Sequence, residues 1–122
     1  MSLSIDSDQM LFRNLLETVP NPNAKRDYLT NLKKSITATL LVDLIYVPDN
    51  LLLLPEAFEA YLKTSMPRIV EPYEGFAHLF LEDVNNEIVP RWLRIEIKAQ
   101  NASTRRIVVS DNQPNWSNPS LL

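Results

Sequence analysis

The stretch SITATLLVDLIYVPDNLLLLPEAFEAYL, running from Ser35 to Leu62, decides how this chain is read. Ile36, Ala38, Leu40, Val42, Leu44 and Tyr46 fall on one side of a period-two pattern, and Thr37, Thr39, Leu41, Asp43, Ile45 and Val47 fall on the other. A strand with one face buried and the other half-buried has this pattern, so one long strand is expected over Ile36–Val47. Pro48 lacks an N–H donor and ends the ladder, and Pro48-Asp49-Asn50 makes a turn. Four leucines follow, and then Pro55 opens a helix, where its missing N–H costs nothing. Glu56 and Glu59 favour that end of the helix dipole, and Phe58, Tyr61, Leu62 and Met66 form its apolar stripe. Pro67 would cost ~3 kcal/mol inside a helix, so this one is expected to end near Ser65 or to kink there.

Working outward towards the N-terminus, Met10, Leu11, Leu15 and Val19 lie near helical spacing. This predicts a helix over Gln9–Thr18 with Asp8 as N-cap, ended by the loop Pro20-Asn21-Pro22-Asn23. Arg26–Leu32 reads as a short strand or a turn. Towards the C-terminus, Phe76, Phe80, Val84 and Ile88 recur every four residues and predict a helix over Pro72–Val89, closed by Pro90. Leu93, Ile95, Ile97 and Ala99 then alternate with Trp92, Arg94, Glu96 and Lys98. With a turn at Asn101-Ala102-Ser103 and a strand over Thr104–Ser110, this end reads as an antiparallel hairpin. Asp111–Leu122, rich in Asn, Pro and Ser, reads as a tail. The expected fold is α+β, an antiparallel sheet with two helices packed on one face. It forms one domain over residues 1–122, with 1–8 and 112–122 flexible.

Composition narrows the function classes. The chain of 122 residues is 45% hydrophobic and 22% charged, near globular averages. A net charge of −3 leaves no basic surplus for phosphates, so no nucleic-acid partner is expected. Absence of cysteine excludes a disulfide framework, a thiolate metal site and a cysteine nucleophile. Gly75 is the only glycine, which excludes a glycine-rich phosphate cradle. The longest apolar run, Leu40–Val47, is broken by Asp43 and is far below the ~18 residues that a membrane span needs. Met1–Met10 is too polar for a secretory segment, so the expected compartment is the cytoplasm.

Ordered fragments carry a resemblance. They are Leu16-Glu17-Thr18-Val19-Pro20-Asn21, Arg26-Asp27-Tyr28, Tyr46-Val47-Pro48-Asp49, Tyr61-Leu62 and Pro90-Arg91-Trp92. In this order and spacing the chain resembles the 7-cyano-7-deazaguanine (preQ0) reductases, NADPH-dependent nitrile reductases of queuosine biosynthesis. These share the tunnelling fold (T-fold) with GTP cyclohydrolase I and 6-pyruvoyltetrahydropterin synthase. The resemblance spans about Leu15–Ala99. It implies a T-fold subunit that joins its sheet with others into a barrel, hence a homo-oligomer with no membrane partner.

The same comparison implies lost chemistry. The family's catalytic cysteine attacks the nitrile to give a thioimide, which needs a thiolate, and this chain has no cysteine. Asp43 is displaced from the position of the family's catalytic aspartate. The NADPH motif Glu-Ser-Lys-Ser-Leu-Lys falls on Leu54-Pro55-Glu56-Ala57-Phe58-Glu59, with both lysines replaced by glutamates that repel phosphates. A later Arg-Gly-Gly falls near Arg105-Arg106, without its glycines. The family's Phe-His-Glu, whose glutamate grips the edge of a purine-like ring, falls on Pro72-Tyr73-Glu74. Glu74 and Tyr73 are therefore the implied ligand-binding residues, with Glu71 a second candidate for the anchor.

The implied function is a non-catalytic T-fold protein that binds a purine- or pterin-like ligand at a subunit interface, with no cofactor. One alternative is an NADPH-dependent reductase or another T-fold enzyme of queuosine or pterin metabolism. Another is a structural or regulatory subunit that co-assembles with a full-length relative. Other residues have plainer readings beside functional ones. Glu74 also suits a helix N-terminus without any ligand. Asp43 is either a site carboxylate or the partner of a basic neighbour. His78 has no second His or Cys to share a metal with. Trp92 and Trp116 either stack a ring or pack, and Arg105-Arg106 either meet an anion or are solvated. Glu82, Asp83 and Glu87 are expected on the wet face of the second helix.

Overall fold

The computed structural model describes residues 10–100 and 103–122. The elements run α1 (described over residues 10–14), β1 (Thr18–Pro20), β2 (Thr30–Thr37), β3 (Leu40–Val47), β4 (Leu51–Leu53), α2 (Pro55–Ser65), a 3-10 turn (Met66–Arg68), α3 (Tyr73–Ile88), β5 (Trp92–Gln100) and β6 (Thr104–Asn112). Among the described residues, one sheet has the strand order β2-β3-β5-β6, antiparallel throughout, and β1 pairs with β4 in a small second sheet. The fold is α+β. Among the described residues no helix is long and apolar enough to cross a membrane.

The stretch expected as one strand is two. The chain folds back at Ala38-Thr39, so β2 and β3 form a hairpin. No glycine, asparagine or aspartate marks this turn. A hydroxyl does the work instead: Thr37 Oγ1 accepts the Thr39 N–H at 3.2 Å. Gln100 N–H donates to the Thr39 carbonyl at 2.8 Å and ties the turn to the end of β5. The register shifts between Ser35 and Thr37, and this bulge breaks the period-two reading at Ile36. Leu40, Val42, Leu44 and Tyr46 keep their expected buried face, whereas Ala38 is exposed.

The first helix is also shorter than expected. Thr18-Val19-Pro20 leaves it to pair with Leu51-Leu52-Leu53, a long-range pairing with no local signal. The Asp8 cap and Asn101-Ala102 of the last hairpin turn lie outside the described residues. β6 runs to Asn112, two residues beyond the expected Ser110.

The helices follow their local signals. Leu54 is the N-cap of α2 with Pro55 in its first turn, and the helix ends at Ser65 before Pro67. Phe58, Tyr61 and Leu62 of α2 join Phe76, Ala77, Phe80, Val84 and Ile88 of α3 in one core. Leu40, Val42, Leu44 and Tyr46 of β3 and Leu93, Ile95, Ile97 and Ala99 of β5 belong to the same core. The Tyr61 and Phe80 rings stack with centroids 4.9 Å apart, and Phe76 stacks on Phe80 at 5.8 Å. Each fully buried side chain of this kind contributes about 2 kcal/mol. The alternate positions of β5, Trp92, Arg94, Glu96 and Lys98, are only half-buried, so the sheet presents its other face outward.

α3 ends on Val89 in the left-handed region, φ 47° and ψ 57°. With Gly75 used elsewhere, a β-branched residue takes the C-cap conformation that usually falls to glycine, before Pro90 stops the helix.

Candidate functional site

α3 starts at Tyr73, with Pro72 as N-cap and no side-chain cap. Its first-turn amides favour an anion, and Glu74 stands there. β6 brings Arg105 to the same place from 31 positions along the chain. Arg105 Nη2 donates to Oε1 and Oε2 of Glu74, both at 2.5 Å, and Nη1 donates to Oε1 of Glu71 at 2.6 Å. Arg105 holds the Glu74 carboxyl below the usual carboxylate range, and Glu74 in turn raises the guanidinium. The three side chains remain partly open to solvent, 47% for Glu74, 56% for Glu71 and 40% for Arg105. Water therefore screens the pairs, and the cluster adds little to stability.

The two ligand candidates part ways here. Glu74 and its alternate Glu71 share one arginine, so the structure brings both carboxylates together. Tyr73 is half-buried and packs against the core. One turn on, His78 Nδ1 lies 2.8 Å from the Glu74 carbonyl. Among the described residues no group of three or more His, Asp or Glu is placed to hold a metal ion.

Asp43 lies on the outward sheet face, where Asn31 Nδ2 donates to it and Lys33 Nζ stands 3.9 Å away. Glu96 is directly across from it on β5. Like charges opposed on a sheet repel, and Arg106 offsets this by donating to Glu96 at 2.7 and 3.2 Å. That bond is the main reason the Glu96 carboxyl sits below its ordinary range. Arg106 thus has an intrachain partner, and Asp43 is paired with a basic neighbour.

Asp83 corrects the reading of α3. Expected on the wet face, it is fully buried. The Tyr61 hydroxyl donates to its Oδ2 at 2.6 Å, and Arg13 Nε donates to Oδ1 at 3.1 Å. Burial and this bond to Asp83 push the Tyr61 hydroxyl far up, so it stays protonated as a donor. Arg68 Nη2 donates to the Tyr61 hydroxyl at 3.3 Å and to Ser65 Oγ at 3.0 Å. The Arg68 guanidinium lies 3.4 Å from the centroid of the Phe12 ring, a cation–π contact. Among the described residues Arg68 Nε has no hydrogen-bond partner. A periodicity argument finds Asp83 on the apolar stripe, since it stands three positions after Phe80. The default that helix carboxylates face water hides it.

A second polar cluster gathers four of the separated fragments. Arg91 Nη1 donates to Asp27 at 2.9 Å and to the Arg26 carbonyl at 3.0 Å. Its Nη2 donates to Asp49 at 3.1 Å and to the Ala24 carbonyl. Asn21 Nδ2 donates to the Asp49 carbonyl at 2.8 Å, and the Tyr28 hydroxyl donates to Asn21 Oδ1 at 2.7 Å. Gln113 and Asn118, from the segment expected as a tail, donate to Asp49 and Asp27. The Asn118 bond above all holds the Asp27 carboxyl below its ordinary value; burial opposes it, and Arg91 adds to the lowering. A cavity of about 550 Å³ opens here, lined by residues 24–27, Arg91 and 115–118, including Trp116. Arg91, Asp27 and Asp49 are all engaged with the chain itself, so this cluster ties loops together.

The Glu71–Arg105–Glu74 group is thus the exposed constellation on which a ligand-binding reading rests. It can accept hydrogen bonds from a ring edge and offer a guanidinium beside them, and it holds no nucleophile. Compared with models of protein families and with curated proteins, the chain matches none.

Proposed function

We propose that this chain is a non-catalytic tunnelling-fold protein, similar to the preQ0 reductases, that binds a purine- or pterin-like ring at a subunit interface through Glu74. One observation carries the reading: an accessible carboxylate at the head of α3, beside the edge strand β6. A second copy added to that edge would bring its own residues alongside Glu74. Hairpin, two helices and hairpin, with the helices on one sheet face, support the fold half of the proposal. Glu56 and Glu59, both exposed where the resembled family has lysines, speak against an NADPH-dependent reductase.

The competing reading is a structural or regulatory subunit that binds no ring, and one feature favours it: Arg105 already occupies Glu74. A thermal-shift screen separates the two. Under the ligand reading, a deazaguanine, pterin or purine raises the melting temperature by mass action, and Glu74→Gln abolishes the rise. No shift with any of them at about 100 times a micromolar Kd, where ~2.7 kcal/mol of stabilisation is due, removes the ligand reading.

A further inference from the structure

The pairing of Arg105 with Glu74 has a specific geometry. One nitrogen, Nη2, reaches both oxygens of Glu74, while the other, Nη1, reaches Glu71. A ring edge with two adjacent N–H donors needs those same two Glu74 oxygens. Guanidinium and ring therefore compete for one acceptor pair. Glu71 offers the guanidinium a place to remain when it leaves Glu74, since that bond uses the other nitrogen. The exposure of all three side chains leaves room for the exchange.

We propose that Arg105 is an intrachain gate on this site, occupying Glu74 in the free protein and withdrawing onto Glu71 when a ring bearing N–H donors binds. This rests on the ligand-binding reading of Glu74 and adds how the site is controlled. The gate holds the carboxylate in position and admits only a ligand whose donors outcompete an arginine. Rings that present an acceptor where an N–H is needed gain nothing from displacing it. The ring class admitted is one with neighbouring donors, such as a 2-amino lactam.

The test is calorimetric titration of 7-deazaguanine and of pterin into the full chain and its variants. Arg105→Ala and Arg105→Gln are both expected to bind about two- to five-fold more tightly than the parent, because an exposed ion pair no longer has to be broken. Glu71→Gln is expected to weaken binding in the parent, since Arg105 then has only Glu74. It should change nothing when combined with Arg105→Ala, which is the signature of coupling through Arg105. Binding by the Arg105 variants alone, with none by the parent, would also support the gate. Parent binding that is unchanged or weakened in both Arg105 variants overturns the gate and leaves the ligand reading standing. No binding by parent or variants overturns both.

Discussion

Asp83 shows how one side chain can hold three segments. It sits fully buried on α3 and accepts a hydrogen bond from Tyr61 of α2 and another from Arg13 of α1. A buried carboxylate costs several kcal/mol to desolvate, so it persists only where charge and hydrogen bonds offset that cost. Removing it leaves the Tyr61 hydroxyl and the Arg13 guanidinium short of an acceptor. Asp83→Ala is expected to destabilise the protein by about 3 kcal/mol in urea unfolding. Asp83→Asn keeps an acceptor for Tyr61 and should cost less; equal stability of all three proteins would refute the account. The residue-scale contrast with Glu74 is instructive. The family resemblance marked Glu74 as a site candidate, while the local dipole argument accounts for it without any ligand. Its bond to Arg105 was not legible, because that partner arrives from a strand 31 positions away.

Elements were legible where punctuation was strong. Pro55 opens α2, where its missing N–H costs nothing, and Pro67 and Pro90 follow the ends of α2 and α3, where the lost N–H and the clash with the preceding turn stop a helix. The β2–β3 hairpin was hidden because its turn uses the Thr37 hydroxyl where Asn-Gly or Asp-Gly would have announced it. The end of α3 carries a cost of its own. Val89, 53% exposed, holds φ 47° with a branched Cβ, a conformation that costs of order 1–3 kcal/mol. Glycine removes that strain but gains freedom in the unfolded chain, worth about 0.4–1 kcal/mol. Val89→Gly is accordingly expected to stabilise the protein by about 1 kcal/mol, read as a higher denaturation midpoint with an unchanged slope. A lower midpoint would show that the Val89 side chain contributes more than its backbone costs.

At the scale of the molecule, among the described residues the sheet ends on two edge strands, β2 and β6, of eight and nine residues. Long open edges present unpaired N–H and C=O groups, and closing them against other copies is the physical reason for the ring we propose. Sedimentation at micromolar concentration is expected to give a mass that is a multiple of 14.0 kDa. A monomer would count heavily against the interface on which the Glu74 reading depends. The fragments that carry the family resemblance also gain a meaning at this scale. Asn21, Asp27, Tyr28, Asp49 and Arg91 meet in one hydrogen-bonded cluster, so what those residues share is the job of joining loops. The sequence by itself determined the α+β class, the span of α2 and α3, the buried faces of β3 and β5, and the absence of a thiol. All of these follow from local periodicity, proline chemistry or composition. Only the tertiary structure decided that the opening strand is a hairpin, that Asp83 is a core residue, and that Glu74 comes already paired with Arg105. Each of those depends on which distant groups meet, and hydrogen-bond partners across a fold leave no periodic trace in the chain.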